Sequence, residues 1–238
     1  MAHTIEKTHP NGQAVVRLDG VSKVYHQGTV DIHALRGLDL DIHEGEFTAL
    51  VGPSGSGKTT TLNLVGALDT PTSGSVFVDG RELGAMGRKD LSRLRRDRIG
   101  FVFQSYNLIP VLTAYENAEM VMWVKGVPAA ERRERVMDLL RSVGLEGLED
   151  RRPTELSGGQ QQRVAIARAI AARPAIVLAD EPTANVDSET AESLITLMER
   201  LNRQENVTFL FSTHDSRVVE RARRVIHMVD GRIERDTA

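Results

Sequence analysis

The sequence predicts an α/β fold in which a parallel β-sheet core is interrupted by an inserted all-helical segment. Short apolar runs of strand length alternate with helix-forming stretches in both the first and the last third of the chain. The middle, from about 114 to 172, contains helix-forming stretches only. A glycine-rich loop also joins a short apolar run to a helix, as in the strand–loop–helix units of parallel sheets.

The first part of the chain is predicted to contain five strands and a helix that starts in the glycine-rich loop, and the arginine-rich stretch 93–98 is expected to form a solvated helix face. Turn-forming residues at 70–74 and 79–80 separate strand-length runs. The helix is expected to begin within residues 57–59 and to run to about Leu68. The strands are predicted at Ala14–Asp19, Leu38–Ile42, Phe47–Val51, Ser75–Val78 and Ile99–Phe103.

The remainder begins with helices that are separated by Pro128, Gly144 and Pro153. These helices are predicted at Tyr115–Lys125, Ala129–Val143 and Gly158–Ala172. Strand and helix alternation then resumes with Ala175–Ala179, Ser188–Gln204, Val207–Ser212, Ser216–Arg221 and a closing pair of strands around Gly231. We therefore expect one domain over 14–238, a helical insertion of about 105–172, and a disordered lead-in at 1–13.

Composition excludes several classes of function. The 238 residues carry a net charge of −3, so no overall basic field indicates nucleic-acid binding. Cysteine is absent, which excludes disulfides and thiolate metal sites. No segment approaches the roughly 20 apolar residues of a membrane span, and the polar N-terminus has no signal-peptide core. Any membrane role is therefore expected to pass through a partner.

The glycine-rich loop has the P-loop pattern G-x-x-x-x-G-K-T, and it follows the predicted strand Phe47–Val51. Its glycines let backbone N–H groups turn towards phosphate oxygens, and the following helix presents its positive end to the same anion. Lys58 is expected to reach the β- and γ-phosphates, and the Thr59 hydroxyl to ligate Mg²⁺. A P-loop alone does not distinguish an NTPase from a kinase. The candidate nucleotide-binding residues here are Gly52, Pro53, Ser54, Gly55, Ser56, Gly57, Lys58, Thr59 and Thr60.

The apolar run Ala175–Ala179 is followed directly by two carboxylates, Asp180 and Glu181. The run suits a strand buried on both faces of a parallel sheet, and ligands bind at the carboxyl ends of such strands. Asp180 is expected to hold Mg²⁺ opposite Thr59, and Glu181 to polarise a water aimed at the γ-phosphorus. A solvated acidic pair is the alternative, and the nearby P-loop makes it the weaker one.

The segment Leu156–Gln160, LSGGQ, predicts a second anion-binding helix start. Ser157 suits an N-cap position, and the two glycines leave N–H groups uncovered. A helix that needed only a cap would not use two glycines, each of which costs about 1 kcal/mol of helix propensity. Because the chain has one P-loop, we expect this second cradle to complete the site of another copy.

In this order, the P-loop, LSGGQ, the Asp-Glu strand end and a downstream histidine resemble the ABC-type ATPase family over about 14–235. The resemblance implies a P-loop NTPase fold of the ABC type, with a parallel sheet core, an antiparallel β subdomain and an inserted helical subdomain. It also implies ATP and Mg²⁺ as cofactors, ATP hydrolysis, and a head-to-tail homodimer. In that dimer the signature residues of one chain meet the γ-phosphate held by the other; they are Ser157, Gly158, Gly159 and Gln160.

The resemblance assigns further residues by position. Tyr25 matches the aromatic that stacks on adenine, a strand tyrosine without a ligand being the alternative. Gln104 matches the glutamine that meets Mg²⁺ and senses the membrane partner. Asp187 matches an aspartate that communicates across the dimer, and His214 a histidine that contacts the γ-phosphate. The implied catalytic residues are Lys58, Glu181 and His214.

Two segments narrow the resemblance to the lipoprotein-release and macrolide-export ATPases: Thr61–Asp69 with its following Pro71–Gly74, and Asn107–Pro110 leading to Leu112–Ala114. The resemblance to these ATPases implies an integral membrane permease as partner, no nucleic-acid partner, and a peripheral position at the cytoplasmic face of the membrane. They also imply that ATP drives the export or extraction of cargo.

Other functions stay open at this point. They are an ABC ATPase of a peptide-antibiotic sensing or detoxification module, and a soluble ABC ATPase without a transport role. A P-loop kinase would leave Ser157–Gln160 unexplained. The apolar stretch Met120–Trp123 is expected in the core of the helical insertion, and docking of the membrane partner is its alternative role.

Overall fold

A computed structural model describes residues 14–237, so the predicted lead-in at 1–13 lies outside the described residues. Strands and helices alternate through the described chain, apart from a helical stretch in its middle. The strands are β1 (Ala14–Gln27), β2 (Val30–His43), β3 (Phe47–Val51), β4 (Ser73–Val78), β5 (Arg81–Glu82), β6 (Ile99–Phe103), β7 (Ile176–Asp180), β8 (Phe209–Ser212), β9 (Arg224–Val229) and β10 (Arg232–Asp236).

The strands form two sheets of different kinds. The larger sheet has the order β10-β9-β3-β8-β7-β6 and is parallel except for the antiparallel pair of β9 and β10. The smaller sheet has the order β2-β1-β4-β5 and is antiparallel throughout. The parallel strands carry the P-loop and the Asp-Glu pair, and their carboxyl ends all meet at one edge of the sheet.

Three of the helices lie between β6 and β7 in the chain, and they pack against one another. Among residues 14–237, no helix combines the length and the apolarity needed to cross a bilayer. The helices are α1 (Lys58–Val65), α2 (Arg88–Arg98), α3 (Ala114–Val124), α4 (Ala129–Ser142), α5 (Gly158–Ala171), α6 (Ser188–Glu205) and α7 (Ser216–Arg221).

The large sheet separates two hydrophobic cores, because successive side chains of a strand point to opposite faces. In β7, Val177 and Ala179 join the core on the side of the helical segment, whereas Ile176 and Leu178 join the core shared with the small sheet. Phe47 lies in the first core with its ring centroid 4.7 Å from that of Phe211. Burial on both faces holds the parallel strands in place, and with them the P-loop and the Asp-Glu pair at their carboxyl ends.

Several predicted element ends are wrong, and the largest difference is in β2, which begins at Val30 rather than at Leu38 because it pairs with β1 along its length. The strand expected to end at Asp19 continues to Gln27, because Gly20, at φ 57°, is accommodated where the register with β2 shifts between Leu18 and Val21. The helix expected to reach Leu68 ends at Val65, since Ala67 has left the helical region at φ 52°.

The stretch Met120–Trp123 does not lie wholly in the core. Met122 is buried in α3, but the Trp123 side of the helix faces solvent, with 63% of that residue exposed. Met120 and Val121 line a surface groove. An apolar stretch on an amphipathic helix therefore divides between core and surface, which its composition alone did not indicate.

Candidate active site

The site forms where β3, β7 and β8 end side by side in the large sheet. Glycines and Lys58 follow β3, Asp180 ends β7, and Thr213 and His214 follow β8. The small sheet closes the other side with Tyr25 and residues 32–34. The resulting cleft has a volume of about 670 Å³. Its lining contains every predicted P-loop residue together with Tyr25, Glu181 and His214: Gly52, Pro53, Ser54, Gly55, Ser56, Gly57, Lys58, Thr59 and Thr60.

The P-loop backbone requires glycine at two positions for steric reasons. At Gly52, with φ 151°, a Cβ would clash with the Met228 carbonyl oxygen. At Gly57, with φ 103°, a Cβ would lie 2.7 Å from the Ala34 carbonyl oxygen. Gly57 is also the N-cap residue of α1 and supplies no side-chain cap, so the first N–H groups of this helix face the cleft without a capping partner. Such a helix start binds anions.

Lys58 is held at the mouth of this cradle. Its Nζ donates to the carbonyl oxygens of Gly52 at 2.8 Å and Pro53 at 3.1 Å. The ammonium therefore sits over the loop that is shaped to surround an anion. A phosphate bound in the loop would meet its charge directly.

Thr59 and Asp180 come from α1 and β7 and meet at the edge of the cleft. Thr59 Oγ1 lies 3.4 Å from Asp180 Oδ1. A hydroxyl and a carboxylate oxygen at one point fit Mg²⁺, which takes one or two carboxylates and completes its shell with waters and substrate phosphates. Within residues 14–237 no cluster of three or more His, Asp or Glu side chains forms a cage for a metal ion. The donor set therefore fits a metal that arrives with a nucleotide.

Glu181 is held by two neighbours that follow β8. His214 Nδ1 lies 2.8 Å from Glu181 Oε1, and Thr213 Oγ1 donates to Glu181 Oε2 at 3.3 Å. The Glu181 backbone has φ 46°, a conformation that costs a non-glycine residue about 1 kcal/mol or more and that persists only where its surroundings enforce it. Glu181 N–H donates to the Ser212 carbonyl at 2.8 Å, which enforces it here. Thr213 and His214 thus fix the orientation of the carboxylate at the edge of the cleft.

The signature segment starts α5, but it does not line this cleft. Ser157 Oγ accepts from Gln160 N–H at 3.3 Å, and Gln160 Oε1 accepts from Ser157 N–H at 2.9 Å, so the two form a capping box. The glycines also have a packing role that the sequence did not indicate. A Cβ at Gly158 would lie 2.7 Å from Tyr106 Oη, and one at Gly159 would clash with Thr190.

Gln104 follows β6 and is held by an asparagine that the sequence analysis did not single out. Asn185 Nδ2 donates to the Gln104 carbonyl oxygen at 2.9 Å, and Gln104 Nε2 donates to Asn185 Oδ1 at 3.4 Å. Tyr106 Oη donates to the Asn185 carbonyl oxygen at 3.0 Å. These contacts span about 80 positions of sequence, so no local pattern indicates them.

Asp187 is the N-cap of α6 in addition to its predicted role in communication. Its carboxylate accepts from Thr190 N–H at 2.9 Å and from Thr190 Oγ1 at 2.6 Å. The hydrogen bond from the Thr190 side chain, followed by that from its backbone, lowers the pKa of Asp187. The aspartate therefore fixes the start of α6 beside the loop that holds Gln104.

Arg168 is a second residue that the sequence analysis missed. Its guanidinium is largely buried in α5 and donates to the carbonyl oxygens of Asn107 and Tyr106, both at positive φ. Burial lowers the pKa of Arg168. The arginine ties the helix that begins with the signature segment to the loop after Gln104.

Comparisons with known proteins agree with this geometry. The family model described as ABC transporter matches residues 35–184, more than half of the chain. The lipoprotein-releasing system ATP-binding protein LolD of Anaeromyxobacter dehalogenans is 49% identical over 228 residues, covering 95% of this chain and 95% of the relative. The macrolide export ATP-binding/permease protein MacB of Brucella melitensis is 46% identical over 226 residues, covering 95% of this chain but only 35% of that longer protein.

Among solved structures, a dimer of the ATP-binding cassette MJ0796 bound to ADP and phosphate superimposes with a TM-score of 0.85 at 45% identity. The match covers 93% of this chain and 97% of that one, and the relative of that name comes from Methanocaldococcus jannaschii. These findings confirm the predicted fold class and the resemblance to the lipoprotein-release and macrolide-export group. The chain belongs to the ABC transporter family, as an ATP-binding subunit that hydrolyses ATP.

Proposed function

We propose that two copies of this chain pair head to tail and enclose two ATP molecules, each between the P-loop of one copy and the signature segment of the other. The observation that carries this proposal is that Ser157–Gln160 is exposed or half-buried and lies outside the cleft that holds the P-loop. The first-turn amides of α5 therefore have no triphosphate within their own chain to bind. A symmetric pair gives both cradles a shared ligand.

Within each site, the residues of this chain have separable roles. The P-loop amides and Lys58 bind the β- and γ-phosphates, and Tyr25 stacks on adenine. Thr59, Asp180 and Gln104 would hold Mg²⁺, which would neutralise phosphate charge when bound. Glu181 accepts a proton from the water that attacks the γ-phosphorus, while His214 orients the carboxylate and contacts the γ-phosphate. Asp187 lies where its loop would meet the opposite copy.

The proposed partner is an integral membrane permease at the cytoplasmic face of the membrane. A groove of about 320 Å³ lies between the large sheet and the helical segment. Phe101, Phe103, Met120 and Val121 give it an apolar lining, and Asn107 and Arg168 connect it to the loop that follows Gln104. A short helix of a permease that filled this groove would bear on the same loop. By analogy with its relatives, we propose that the complex exports or extracts a cargo beyond the cytoplasm.

The permease should change the rate of ATP hydrolysis through Gln104. We expect reconstitution with the membrane partner to alter turnover in the parent protein, and Gln104→Ala to bring the ratio of the reconstituted rate to the isolated rate, both measured for the same variant, closer to one. The physical reason is that Gln104 joins the groove loop to Asn185 beside the active site. ATPase rates are measured for the isolated and the reconstituted protein.

Gln204→Ala, an exposed glutamine near the end of α6, is the matched control. Identical rates in the free and reconstituted samples, with and without Gln104→Ala, would contradict the coupling.

A further inference from the structure

Three side chains form a hydrogen-bonded cluster behind the proposed adenine platform. Tyr25 Oη donates to Asp69 Oδ2 at 2.7 Å, and Lys23 Nζ donates to Asp69 Oδ1 at 2.6 Å. Lys23 Nζ also lies 4.8 Å from the centroid of the Tyr25 ring, over one of its faces. We call Lys23, Asp69 and Tyr25 the tyrosine brace.

Lys23 is buried and Asp69 is half-buried, and both have several hydrogen-bond partners that make the geometry of the brace stiff. Lys23 is only 9% exposed, and its ammonium makes a further hydrogen bond to the Thr70 carbonyl oxygen at 2.8 Å. Burial acts to raise the pKa of Asp69, but the hydrogen bonds from Lys23, Tyr25 and the Thr70 N–H hold it below its ordinary value. Burial, and then the bond to Asp69, raise the pKa of Tyr25. A part-buried ion pair with satisfied partners resists rearrangement.

The brace connects the small sheet to the P-loop helix. Tyr25 lies on β1, whereas Asp69 follows α1 and its N–H donates to the Asn63 carbonyl oxygen at 3.2 Å. The brace therefore ties the Tyr25 phenol to the end of the helix that begins in the phosphate cradle.

One ring face remains for a ligand. Lys23 covers the other, and Tyr25, which is 36% exposed, lines the same cleft as the P-loop. A phenol at an exposed position needs no protein acceptor, because water can take that role. The bond to Asp69 therefore adds orientation: it fixes the plane of the ring relative to the site of the triphosphate. Preorganised contacts of this kind raise affinity by reducing what must be ordered on binding.

We propose that Asp69 and Lys23 are positioning residues that hold the Tyr25 ring for the base of the nucleotide and so set the base contribution to ATP affinity. The proposal rests on the proposed stacking of Tyr25 on adenine. It assigns to these residues an effect on base recognition and none on triphosphate binding. The two effects separate when ATP is compared with inorganic tripolyphosphate, which has no base.

The test is calorimetric titration of Mg-ATP and of magnesium tripolyphosphate into the parent and into Tyr25→Phe, which keeps the ring and the Lys23–Asp69 pair. We expect the Kd for ATP to rise about fivefold, the cost of ordering one side chain on binding, while the Kd for tripolyphosphate stays unchanged. Asp69→Asn should act in the same direction. Asp69→Asn leaves the buried Lys23 without its counter-ion, so the thermal unfolding of this variant is measured first. If Asp69→Asn does not fold, the result for Tyr25→Phe decides the test.

Tyr115→Phe is the matched control, since Tyr115 donates to Glu119 Oε2 at 3.2 Å on α3, outside the residues that line the cleft. Unchanged ATP affinity in Tyr25→Phe would overturn the brace, and so would an equal loss of affinity for ATP and tripolyphosphate. Tyr25→Ala distinguishes a failure of the proposed brace from a failure of the proposed stacking on adenine. If it weakens ATP binding while Tyr25→Phe does not, the stacking stands and the brace fails. If neither variant weakens ATP binding, the proposed adenine contact fails as well.

Discussion

Glu181→Gln is expected to bind ATP like the parent and to lose turnover by about a thousandfold, the usual scale of a general base. The amide has nearly the volume of the carboxylate and keeps an oxygen that can accept from Thr213, so the fold of the site should persist. It cannot accept a proton from the attacking water. In the variant, His214 and the backbone conformation at position 181 therefore orient an amide that is not basic.

Without hydrolysis the ATP-bound pair should not reopen, so the variant should accumulate as a dimer. Size-exclusion chromatography with and without Mg-ATP measures this, together with a phosphate-release assay. Glu220→Gln, an exposed carboxylate on α7, is the matched control and should behave like the parent. Normal hydrolysis with an unchanged elution volume in Glu181→Gln would remove Glu181 from the role of base.

Lys58→Ala is expected to lower ATP affinity by about two orders of magnitude, because a desolvated phosphate loses its nearest counter-charge. The loop itself should survive, since Gly52 and Gly57 still allow its close approach to the backbone of Met228 and Ala34, and water can replace the two hydrogen bonds that Lys58 donates to loop carbonyls. Equilibrium binding of labelled ATP measures the change. Asp180→Asn should instead weaken the dependence of binding and turnover on Mg²⁺, because it removes the carboxylate beside Thr59.

Lys89→Ala removes the same charge from an exposed position on α2 and should leave ATP binding unchanged. Parent-like binding of labelled ATP by Lys58→Ala would show that the P-loop assignment is wrong.

The sequence predicts the bounds of the strands that lead into candidate site residues better than the bounds of β1. The strands before the P-loop and the loop of Gln104 have the predicted bounds, Phe47–Val51 and Ile99–Phe103. Their short apolar runs are bounded by residues that cannot continue a buried strand. β1 was predicted too short because Gly20 resembles a turn, and only pairing with a neighbouring strand reveals the register shift that absorbs it.

Contacts between distant positions could not be predicted from one sequence. Tyr25 and Asp69 are 44 residues apart, and Asn185 reaches Gln104 across 81. The resemblance names Tyr25 and Gln104 but not the residues that hold them, since these depend on how the two sheets and the helices pack. The packing role of Gly158 and Gly159 was hidden for the same reason: glycine there suits an anion and also the close approach of Tyr106 and Thr190.

The central proposal, a site shared between two copies, is tested by mixing two damaged chains. One carries Lys58→Ala and the other Ser157→Arg, both in a Glu181→Gln background, with different affinity tags. Each homodimer then has two damaged sites, because symmetry repeats either lesion. In the mixed dimer a trans arrangement gathers both lesions into one site and leaves the other with an intact P-loop and an intact Ser157.

The measurement is the amount of ATP trapped per purified mixed dimer, because hydrolysis is lost by design in the Glu181→Gln background. The shared-site account predicts about one trapped ATP per mixed dimer, with almost none in either homodimer. If both cradles served one chain, every site in the mixture would stay damaged. Verified mixed dimers that trap no ATP would contradict the account.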